Sequence, residues 1–140
     1  MAYDRITITI PHDLVEEIAA RSENASGAIQ VSLSRYLEIL RWGRAELRDL
    51  LSDAEASLIL DALNGTLWPE VNTVAYIPLE ISDAIRLNGS DKKWQVDGAA
   101  LVSKLANLTY AQKCAIADAS ERWWQRVGKG DNPEVSEALK

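Results

Sequence analysis

Cys114 and His12 are the only cysteine and the only histidine in the chain. One cysteine excludes an internal disulfide, and this pair falls well short of the four ligands of a structural zinc site. Cys114 lies in AQKCAIADA, a helical stretch, and reads as a small packing residue. His12 follows Pro11 at a helix start and reads as a solvated turn residue. The sequence has no glycine-rich phosphate loop and no recognisable Ser-His-Asp constellation. Its carboxylates are spread over helical surfaces. The expectation is a protein that is not an enzyme and takes no metal or other cofactor.

The elements that position these residues follow from composition and periodicity. The 140 residues are 47% hydrophobic, enough for a real core. No apolar run approaches the ~18 residues of a membrane span. The N-terminus lacks a basic-then-apolar leader, so a cytoplasmic location is expected. The net charge is -6. Residues 1–50 hold six basic and eight acidic side chains, and residues 51–140 hold nine and thirteen. That acidity counts against nonspecific nucleic-acid binding, which relies on basic patches.

The chain reads as mainly α. PHDLVEEIAARSE gives a short helix with Leu14, Val15 and Ile18 as its apolar stripe. Ser26 is the expected N-cap of a longer helix carrying Ile29, Leu33, Tyr36, Leu37 and Leu40, which Gly43 need not end. Ser52 and Glu55 fit a capping box, and Asn64-Gly65 fits a stop. Pro78 opens a further helix closed by Asn88-Gly89, and Asp97 caps VDGAALVSKLANL. Thr109 and Gln112 form a second box before a helix ending at Gly128. LSDAEASLILDA and LTYAQKCAIADA echo each other, a likeness that shared helix-start chemistry is enough to explain. Adjacent Trp123 and Trp124 point about 100° apart on a helix, so one enters the core while the other covers a neighbour. Trp68 and Trp94 flank irregular segments.

The opening RITITIP stands apart. Arg5, Thr7 and Thr9 alternate with Ile6, Ile8 and Ile10 in the period of a β-strand, yet no nearby segment offers a pairing partner. With SGAIQVSLSRYLEIL following a short helix, residues 4–42 resemble the ribbon-helix-helix family of bacterial DNA-binding proteins. The resemblance implies a homodimer whose two strands form one ribbon over a dimer core of Ile6, Ile8, Ile10, Leu14, Ile18, Ile29 and Leu33. It implies base contacts to double-stranded DNA from Arg5, Thr7 and Thr9, and a phosphate anchor at Ser26, Gly27 and Ala28.

Three parts are expected: a ribbon-helix-helix module over 1–50, a helical extension over 51–127 and a mobile tail over 128–140. The leading functional expectation is a dimeric, sequence-specific transcriptional regulator. The alternatives are an antitoxin that binds a toxin through residues 51–127, and a dimerising interaction scaffold without DNA binding. No membrane partner is expected.

Overall fold

A computed structural model describes residues 2–63, 74–130 and Leu139. Seven α-helices are described: α1 (His12–Arg21), α2 (Ala25–Leu50), α3 (Asp53–Leu63), α4 (Ile77–Asn88), α5 (Ser90–Trp94), α6 (Gly98–Ala106) and α7 (Tyr110–Gly128). A 3-10 turn over Val74–Tyr76 leads into α4. The fold is therefore mainly α, as expected. None of the described helices is long and apolar enough to cross a membrane. The expected Asn64-Gly65 stop, Trp68 and most of the expected tail lie outside the described residues.

Among the described residues there is no β-strand. Residues 2–10 carry no regular secondary structure and are exposed, except for a partly covered Ile10. This overturns the ribbon-helix-helix resemblance. Alternation selects a strand only where a second strand supplies the ladder hydrogen bonds, and no other described segment is extended to do so.

The chain divides into two compact units, residues 1–37 and 38–140. The division falls inside α2.

In the second unit, local signals set the helix ends. Ser52 and Glu55 exchange hydrogen bonds of 2.9 and 3.1 Å, as do Thr109 and Gln112 at 2.9 and 3.2 Å. Asp97 accepts from the Ala100 amide at 3.1 Å. Gly89, at φ 65°, ends α4 in the left-handed conformation that glycine adopts without strain. The short helix α5 had no counterpart in the sequence reading. The core gathers Leu47 from α2, Leu58 and Ile59 from α3, Ile77 and Ile81 from α4, Leu101 and Leu105 from α6 and Ile116 from α7. The echoing helices α3 and α7 pack against each other within it. Trp123 packs on this core, while Trp124 is more exposed. Leu139, within the expected tail, is fully buried in the same core.

Two ion pairs join helices. Lys104 donates to Glu55 at 2.8 Å and to the Leu50 carbonyl at 3.0 Å, tying α6 to the start of α3 and the end of α2. The Leu50 carbonyl is one of the acceptors that every helix C-terminus leaves without an intrahelical partner. Asp61 accepts from Lys93 at 2.8 Å and from the Trp94 indole at 3.1 Å, fastening α5 to α3. Burial works to raise the Glu55 pKa above its ordinary 4.5. The hydrogen bond from Lys104, the Ser52 amide and the Lys104 charge outweigh it, and the net shift is downward.

Gly43 allows the closest helix contact. A Cβ at this position would lie 2.6 Å from the Ala111 carbonyl carbon and 3.0 Å from the Ala115 methyl.

Two outcomes follow from this packing. Gly43→Ala must push α2 and α7 apart, so urea unfolding should show a loss of about 1–3 kcal/mol or more. Lys104→Met removes a donor to a buried carboxylate and should cost about 1–3 kcal/mol at neutral pH. Because Glu55 is lowered in the fold, its contribution is complete above its ordinary pKa. It disappears as pH falls through the folded value. The gap between parent and Lys104→Met should therefore close on acidification across that range, measured by unfolding at a series of pH values.

Candidate association surface

The first unit offers the surface with the clearest need for a partner. Pro11 precedes α1, and its carbonyl accepts from the Leu14 and Val15 amides at 3.1 Å each. Asp13 lies in the first turn and Arg21 in the last, both favourable to the helix dipole. His12–Glu16 at 3.0 Å and Glu17–Arg21 at 3.1 Å are exposed i,i+4 pairs that contribute little stability. Nothing in these contacts builds a core.

Asn24, not the expected Ser26, caps the start of α2. The Asn24 side-chain oxygen accepts from the Gly27 amide at 2.9 Å, and its backbone carbonyl accepts from the Ala28 amide at 3.0 Å. Asparagine and serine cap helices about equally well, so the sequence alone could not choose between these neighbours. The consequence for the expected phosphate anchor is direct, since both amides already have acceptors. Ser26 Oγ lies 3.5 Å from the Gln30 side-chain nitrogen.

None of residues 2–37 is buried. Ile6 is 79% exposed, Leu33 57% and Ile8 53%, and Leu14, Val15, Val31, Tyr36 and Leu37 are also open. Ile10, Ile18 and Ile29 are only partly covered. Of the expected dimer core, none is enclosed within the chain itself. Arg5, Thr7 and Thr9 are exposed, but so are Ile6 and Ile8, so burial does not separate the two alternating sets. An open groove of about 980 Å³ is lined by Thr9, Ile10, Pro11, Leu14, Ile18 and Ser32, with Asp13, Glu16 and Glu17 also on its walls.

By spacing, Leu33, Tyr36, Leu37, Leu40 and Leu47 of α2 fall on one helical face. Only Leu40 and Leu47 of these are buried. The sequence showed the stripe but not where its cover stops.

Among the described residues no group of three or more His, Cys, Asp and Glu side chains could hold a metal. Cys114 is buried, as a packing residue would be. Tyr110 is held above its usual pKa by its hydrogen bond to Cys114, but this exposed ring borders no described cavity.

Compared with protein-family models, curated proteins and solved structures, the chain matches none.

The cap yields a direct check. Asn24→Ala should cost about 1 kcal/mol at the start of α2. It should appear as faster amide exchange at Gly27 and Ala28, with no change in α6 or α7.

Proposed function

We propose that the chain is an interaction protein, in which the second unit, residues 38–140, is a helical body with its own core and residues 2–37 form an association module completed by a partner chain. The carrying observation is that no residue from 2 to 37 is buried although many are large and apolar. A unit of fewer than about 40 residues seldom closes a core without a disulfide, a metal or a partner. The lone cysteine is buried in the other unit, and no described cluster fits a metal. Association with another chain is the remaining route. Exposed apolar area of this extent marks a binding site.

Operator recognition is a second reading, supported by the exposure of Arg5, Thr7 and Thr9. The chain's net charge of -6 works against it. A disordered toxin-binding extension finds no support in residues 53–63 and 77–128, which are largely helical and share a core.

Two measurements separate these readings. The double variant Leu14→Glu/Ile18→Glu should abolish association yet leave unfolding of the helical body within about 0.5 kcal/mol of the parent, as expected for changes away from a closed core. Loss of the body's cooperative unfolding would sink the proposed division of labour. In a DNA-shift assay on the gene's own upstream fragment, an interaction protein gives no sequence-specific shift. A specific shift lost on changing Arg5, Thr7 and Thr9 to alanine would move the conclusion to operator binding.

A further inference from the structure

We infer that the partner of residues 2–37 is a second copy of this same chain, packed face to face about a two-fold axis. This rests on the association reading above and names its occupant.

The first argument is area. Tyr3, Ile6, Ile8, Leu14, Val15, Leu33, Tyr36 and Leu37 are all open. Together they expose on the order of 1,000 Å² per chain, against the ~800 Å² per partner of a stable interface. One self-complementary patch is enough for a closed dimer.

The second argument is complementarity of shape. The chain carries both halves of a joint: a groove lined by Ile10, Leu14 and Ile18, and a ridge of Leu33, Tyr36 and Leu37 on α2. Neither half is filled by the other within one chain, since all six remain open or only partly covered. Under two-fold symmetry each copy's ridge enters the other's groove, and every contact occurs twice.

The third argument is charge. Two copies of a chain with net charge -6 repel, so their meeting surface must be nearly neutral. Asn24 through Ser34 contains no charged side chain. Arg35 follows directly, the one cation between Asn24 and Leu37, while the groove walls carry Asp13, Glu16 and Glu17 against the single cation Arg21, leaving them net negative. An uncharged ridge with a flanking arginine suits that acidic groove, where an acidic segment from another protein would be repelled.

The experiment is sedimentation equilibrium of the full chain from about 1 to 200 μM, with amide exchange followed at both ends of that range. The expected result is a dimer in which residues 12–37 gain protection as concentration rises. Leu33→Glu lies on the ridge and Leu14→Glu in the groove. Because symmetry introduces each charge twice, either should weaken self-association at least about 100-fold. Protection of α6 and α7 should not change, which shows that the body still folds. A monomer at every concentration, with residues 12–37 unprotected, overturns the second copy and leaves the association module to a different partner. A monomer with residues 12–37 well protected overturns both the second copy and the association module. A dimer indifferent to both substitutions places self-association on another surface and overturns the inference.

Discussion

The missing side chain at Gly43 is the constraint on which the meeting of α2 and α7 depends. With only a hydrogen there, α2 lies directly against the Ala111 carbonyl in the first turn of α7. The crossing sits one turn from Leu40 and Leu47, both buried. It also brings Glu46 within 2.9 Å of Gln112, beside the capping box that starts α7. One turn further along α2, the Leu50 carbonyl finds Lys104, and Lys104 finds Glu55. A methyl group at position 43 would strain each of these in turn, because close-packed interiors pass displacement on instead of absorbing it.

The first unit shows the same helix-forming chemistry without the same closure. Pro11, Asn24 and the acidic first turn of α1 are enough to start helices. Helix starts cannot by themselves supply a core. Helical stability in proteins comes mostly from burying an apolar face, and here the apolar faces remain open.

What the sequence disclosed divides along the same line. Ser52–Glu55, Thr109–Gln112, Asp97 and Gly89 act within a few residues of themselves, so their patterns could be read directly. The alternation in RITITI could not be read alone. A period of two shows which side chains would share a face of a strand, but strand formation depends on a partner that no other described segment supplies. Gly43 was legible as a tolerated helix glycine; its role depends on Ala111, 68 positions away (111 − 43). The association surface was half visible, since Leu14, Ile18, Ile29 and Leu33 were already identified as apolar. That none of them is buried within the chain is a property of three-dimensional packing and leaves no mark in their spacing. Leu139 is the reverse case, a residue in a polar stretch that nonetheless reaches the core.

An uncored segment at the start of a chain also bears on how long each molecule survives. Residues 2–10 have no regular structure and little cover, which is the state that proteases and chaperones engage. A freshly made copy is therefore vulnerable until its open face is occupied. If a partner chain covers this face, as proposed, occupied molecules are spared and unpaired ones removed, and the number of lasting chains follows the number of completed assemblies rather than the rate of synthesis. The same exposed isoleucines and leucines would thus act as a timer on every molecule that stays alone.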